Sequence, residues 1–151
     1  MKKLLYTMMG CLMLGLTVIS CSDDDGDEVI NYETTAEKAA AGTYSGTWSQ
    51  VSDDGTKDYQ GTITIEAGDT VGVANITFTC TETSLNATSK ANIWNAGRGF
   101  QFVNQADAAN GLGASFAGRI AENGTLTTSF TTKAKVGRKQ VTVVYNFNGQ
   151  K

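Results

Sequence analysis

Histidine is absent from all 151 residues of the chain. That removes the commonest general base, the Ser-His-Asp arrangement and most zinc sites. Calcium-binding spacing is missing too. Asp53-Asp54-Gly55 with Asp58 lacks the regular ligand spacing and the closing Glu of a calcium loop, and reads better as a solvated hairpin turn. Gly97-Arg98-Gly99 and Gly111-Leu112-Gly113 are not followed by helices, so neither is a phosphate cradle. No motif implies a cofactor or a metal, no catalytic residue can be named, and the expectation is a protein that is not an enzyme. An excess of one charge is lacking over most of the chain. Its 15 acidic residues outnumber its 12 basic ones because of the run Asp23 to Glu28, and from Tyr32 onward the signs balance. A neutral domain offers no electrostatic footprint for nucleic acid.

The N-terminus is a targeting segment. Lys2 and Lys3 precede an almost uncharged apolar stretch, Leu4 to Ile19, which ends in Val18-Ile19-Ser20-Cys21. The stretch is short for a spanning helix. Its ending resembles a bacterial lipobox, which implies cleavage before Cys21, a diacylglyceryl thioether on its sulfur and an acylated amine. Two or three acyl chains at about 0.8 kcal/mol per buried CH2 hold a protein to a membrane without a spanning segment. Behind the anchor, Ser22-Asp23-Asp24-Asp25-Gly26-Asp27-Glu28 is too polar to fold and reads as a tether. Ser22 after the lipidated Cys resembles lipoproteins sent to the outer membrane, and the acidic run resembles surface-export signals of some Gram-negative lipoproteins. A periplasm-facing spacer is the alternative. The expected division is a signal peptide over 1–20, lipidated Cys and tether over 21–33, and one folded domain over 34–151. With Cys11 in the leader and Cys21 lipidated, Cys80 remains alone, so no intramolecular disulfide can form. It reads as a buried, inert thiol.

Thr34-Thr35-Ala36-Glu37 fits a capping box, with helix formers up to Gly42. From there Thr, Val, Ile and aromatics dominate, broken at short intervals by Gly, Asn and Asp, which is the pattern of an all-β sandwich or barrel. Eight strands are expected: 42–51, 58–67, 71–81, 88–95, 100–105, 113–122, 125–135 and 139–148. Asn123-Gly124 is the strongest hairpin signal. Alternation collects Tyr44, Gly46, Trp48, Ile63, Ile65, Ile76, Phe78 and their counterparts in later strands on one face. Val71 and Val73 fall out of phase with Ile76, which predicts a bulge near Ala74. Ile93 belongs to the same face, although strand four is ambiguous because Trp94 opposes it. Eight antiparallel strands with one apolar face cannot remain flat, because their edges and that face would be wet. An up-and-down barrel removes both problems, with a two-sheet sandwich as the competing solution.

Gly46-Thr47-Trp48, opening the first strand after a short helical turn, resembles the signature of calycins (lipocalins, fatty-acid-binding proteins, avidins). With Ala41 to Thr47 and the ending VYNFNGQK, Val144 to Lys151, the chain resembles the calycin-like barrel family of bacterial lipoproteins. The resemblance implies that Trp48 plugs the closed end of the barrel, with Arg138 or Lys139 the nearest candidate to pack over it. The avidin layout is as good a template, because no helix follows the last strand. Biotin binding is not implied, because Trp94 is the only Trp besides Trp48.

Two features remain for function. The first is the interior, where Phe78, Phe100, Phe102, Phe116, Phe130 and Tyr145 would line a cavity for a small apolar ligand, or fill it as a dry core. The second is Trp94, Asn95 and Arg98 at a hairpin tip, where an indole can stack on a sugar ring and the neighbours bond its hydroxyls. Asp69-Thr70-Val71 resembles a bacterial O-glycosylation acceptor at Thr70. The leading expectation is an outer-membrane lipoprotein that binds a small apolar molecule or a protein partner, and the alternative is a glycan-binding surface module.

Overall fold

The computed structural model describes residues 35–106 and 110–151. The expected signal segment, the expected lipidation site Cys21 and the expected acidic tether lie outside the described residues. A five-residue helix α1 (Ala36–Ala40) is followed by β1 (Gly42–Ser52), β2 (Gly55–Ala67), β3 (Val73–Cys80), β4 (Leu85–Ala96), β5 (Gly99–Asn104), β6 (Phe116–Ile120), β7 (Thr125–Val136) and β8 (Lys139–Gln150). Each strand pairs antiparallel with the next, and β1 pairs with β8 from Ser45–Gln150 to Val51–Val144, closing an eight-stranded up-and-down barrel.

The alternation that built the expectation is the alternation that folds. Ala74, Ile76, Phe78 and Cys80 point inward from β3, and Leu126, Thr128 and Phe130 from β7, each separated by a more exposed neighbour. The phase conflict in β3 is resolved without a bulge. The strand begins at Val73, and Val71 belongs to the preceding turn, 76 % exposed, where Gly72 takes φ +77°. In β4, Ile93 is buried and Trp94 faces out. The sixth strand is shorter than expected. Residues Asn110 to Gly111 bond back to Ser89 and Thr88 of β4, occupying the lane beside β4 that β5 leaves empty.

Strand direction sorts the connections into two ends. One end carries α1 and the turns after β2, β4 and β6. The helix buries Ala36 and Ala40 against the core, Tyr44 Oη donates to the Ala40 carbonyl at 2.8 Å, and Glu37 Oε2 accepts the Gly72 N–H at 2.9 Å. The other end, the mouth, carries the turns after β1, β3 and β7 and the β5–β6 loop. Here the β7–β8 ladder runs on to Val136–Lys139, past the last β1–β8 pair.

Candidate functional site

The interior is occupied by its own rings. Trp48 is fully buried, with ring centroids at 4.8 Å from Phe147, 5.7 Å from Phe130, 6.2 Å from Phe78 and 6.4 Å from Tyr145. Phe78 meets Phe116 at 5.0 Å, Phe116 meets Phe102 at 6.3 Å, and Phe130 stacks on Tyr145 at 5.0 Å. Such tilted and edge-on contacts are the favoured aromatic geometries, each adding about 0.5–1.5 kcal/mol beyond area burial. Of the six rings expected to line a cavity, Phe78, Phe102, Phe116 and Phe130 are therefore filling, and Phe100 packs half-buried beside them.

Trp48 departs from the role that the resemblance implied. The helix end is stoppered by α1 and Tyr44, and Trp48 lies four residues further along β1, within the ring cluster. Its indole N–H donates to the Thr79 carbonyl at 3.1 Å, which satisfies the one polar group of the ring. Arg138 and Lys139 are at the exposed tip of the β7–β8 hairpin, and aromatic rings surround Trp48 instead.

Gly46, the other half of the signature, has a spatial explanation. It pairs with Gly61 on one side and Gly149 on the other, so three adjacent strands carry no side chain in one row. A Cβ on Gly46 would stand 2.1 Å from the Asn148 carbonyl oxygen, one on Gly61 2.5 Å from Trp48 Cδ1, and one on Gly149 2.5 Å from Phe147 Cζ. The bare row lets β1 close tightly on β8 and receives the two rings. The sequence signal for Gly61 and Gly149 is a glycine inside a strand pattern, which marks close approach.

The aromatic filling stops at the mouth with a hydrogen bond, Gln50 Nε2 donating to Tyr145 Oη at 3.0 Å. Beyond it opens a hollow of about 480 Å3. Ala134, Val136, Val141 and Val143 of the β7–β8 hairpin form an apolar wall, and Ser52 and Lys57 of β1 and β2 face them. Lys57 and Lys139 stand at the rim with Asp53 and Asp54, so it is charged but balanced. A smaller hollow of about 270 Å3 lies on the other side of Phe130 and Tyr145, partly roofed by Leu112. The loop carrying Leu112 is pinned: Ser89 Oγ donates to Asn110 Oδ1 at 2.7 Å, and Asn110 Nδ2 donates to the Ala114 carbonyl at 2.8 Å. The barrel is thus stoppered over β3 and β4 and left open between the two long hairpins. Among the described residues, no cluster of acidic or Cys side chains could hold a metal ion.

The alternative site residues separate. Trp94 is 42 % exposed on the outer wall of β4, where it pairs across to Gln101 of β5. Arg98 sits in the β4–β5 turn in an exposed ion pair with Glu122 at 3.2 Å, and Asn95 lies on the opposite side of the strand from Trp94, so the three do not form one site. Instead Trp94 borders an outer groove of about 800 Å3 that crosses β4 to β8. Thr70 is exposed in the β2–β3 turn, with its carbonyl accepting the Val73 N–H at 3.0 Å, and Cys80 is buried. The chain matches no family model, no curated protein and no solved structure.

Proposed function

We propose that this protein is a lipid-anchored, non-enzymatic binding protein of the outer membrane that holds a small apolar molecule at the mouth of its barrel. The anchor rests on the lipobox-like ending at Cys21, and the surface-facing placement on Ser22 and the acidic run behind it. The resemblance to calycin-like lipoprotein barrels supports the reading. One observation carries it: packing ends at the Gln50–Tyr145 bond, and a valine-walled hollow lies above. Ligand pockets are concavities of about 300–1,000 Å3 with apolar walls and a few placed polar groups. The hollow has that form, with the Gln50 amide, bonded to Tyr145, in its lining and lysines at its rim.

Titration of the purified chain with an environment-sensitive naphthalene dye tests the reading. Saturable uptake is expected, weakened at least tenfold by Val141→Asp, because the charge would stand in the apolar wall. No uptake, or equal uptake by the variant, would remove the ligand-binding function.

A further inference from the structure

The outer wall of this barrel is polar, and some of its polar side chains are paired with each other across strands. Thr77 and Thr88 hydroxyls lie 2.8 Å apart, Gln105 donates to Asn92 at 2.8 Å, and Ser49 donates to Asp58 at 2.5 Å. The groove beside Trp94 is a stretch of the wall without such pairs. Gln101, Arg119, Thr127, Ser129 and Asn146 all line it, and none makes a side-chain hydrogen bond or ion pair among the described residues. Their register is continuous. Trp94, Gln101, Arg119 and Thr127 stand side by side on four successive strands, and Val103, Ala117, Ser129 and Asn146 form the adjacent row. Ala117 and the two hydroxyl residues are small, so the floor is low while Trp94 stands up at one side. Two of the four large apolar side chains left exposed among the described residues, Trp94 and Val103, are in this groove.

Each part of that arrangement has a counterpart in a sugar. The face of an indole accepts the C–H face of a pyranose, and amides and hydroxyls that both donate and accept suit hydroxyls that do the same. Arg119 is the only charged side chain in the lining, and no carboxylate opposes it. Its planar fork is built to take a carboxylate in two parallel hydrogen bonds. Neighbouring strands are about 4.8 Å apart, so Trp94 and Arg119, two strands apart, are separated by about 10 Å, a span that a disaccharide covers.

We infer that the outer groove over β4 to β8 is a second binding site, for an acidic carbohydrate, with one sugar ring stacked on Trp94 and a uronate carboxylate held by Arg119. The site is separate from the mouth and does not depend on a ligand there.

Calorimetric titration of the purified full chain tests it, with galacturonate oligomers, a neutral galactose oligomer of equal length, and galacturonate monomer. The acidic oligomer is expected to bind at least tenfold more tightly than the neutral one, with that advantage shrinking as salt rises. The monomer should bind more weakly than the oligomer, since it cannot reach both Trp94 and Arg119. Trp94→Ala should weaken both oligomers about tenfold or more, and Arg119→Gln should bring the acidic oligomer down to the neutral one. Arg98→Gln, outside the groove, should change nothing, and dye uptake at the mouth should survive in all three variants. Equal affinity for acidic and neutral oligomers would overturn the acidic preference, and uronate binding untouched by Trp94→Ala would overturn the site. No sugar binding, or a protein partner lost with Trp94→Ala in its place, would overturn the whole inference. Should Arg119→Gln unfold, Arg119→Lys and the salt series on the wild type carry the same decision.

Discussion

Gly61 has no side chain because two other groups already stand where one would go. Its missing Cβ would lie 2.4 Å from the Thr79 carbonyl oxygen and 2.5 Å from the Trp48 ring, which share a hydrogen bond. Neither is the free end of a flexible chain, so a methyl group must move backbone or a fully buried ring. Forcing extra carbon into a packed core costs about 1–3 kcal/mol. Gly61→Ala is therefore expected to lower stability by about 2 kcal/mol, read as a lower midpoint in urea unfolding. An unchanged midpoint would mean that the row of bare positions is incidental. The Trp48 ring leans toward the glycine row, and what remains above it is closed by a hydrogen bond between Gln50 and Tyr145.

At the scale of elements, α1 is too short to be stable alone and owes its place to what it touches. Tyr44 connects it to β1, since the phenol of the strand donates to the last carbonyl of the helix. Burial pushes the Tyr44 hydroxyl above its usual 10.0, because the phenolate would lose its solvation. The folded state thus favours the protonated phenol more than the unfolded chain does. That contribution is complete below the unfolded value near 10 and is lost as pH rises through the higher folded value. Alkaline unfolding should accordingly steepen above pH 10 in the wild type, and Tyr44→Phe should flatten that slope while lowering stability at neutral pH by about 1 kcal/mol. Parallel profiles for the two proteins would count against it. Much of this level was legible in the sequence, because alternation shows which side of a strand is dry whatever its neighbours are. It failed where a strand starts, as at Val71 and Val73. The outer groove was not legible at all. Its residues come from five strands, and only the register between strands places Arg119 rather than Arg98 near Trp94.

For the whole molecule, the long β7–β8 hairpin serves both candidate sites with alternate residues. Ala134 and Val143 face the mouth, whereas Thr127, Ser129 and Asn146 point into the outer groove. The two sites share a wall yet present opposite sides of it, so ligands of opposite character can be held without competing. Closure of β1 on β8 has a further consequence. Lys151 Nζ donates to the Ala41 carbonyl, and Ser45 pairs with Gln150, so the first and last strands of the barrel end beside one another. The sheet is a ring, and which strand is numbered first is a property of the gene. A circular permutant of Ala36–Lys151, with these ends joined by a short Gly-Ser linker and new ends opened at Asn123-Gly124, should fold to the same barrel. Its melt should stay cooperative and its circular dichroism should match the parent; a permutant that fails to fold would show that strand order, beyond strand adjacency, is needed. Joined in this way, the protein would become a cyclic arrangement cut at a place of the experimenter's choosing, with Trp48 at its centre wherever the chain begins.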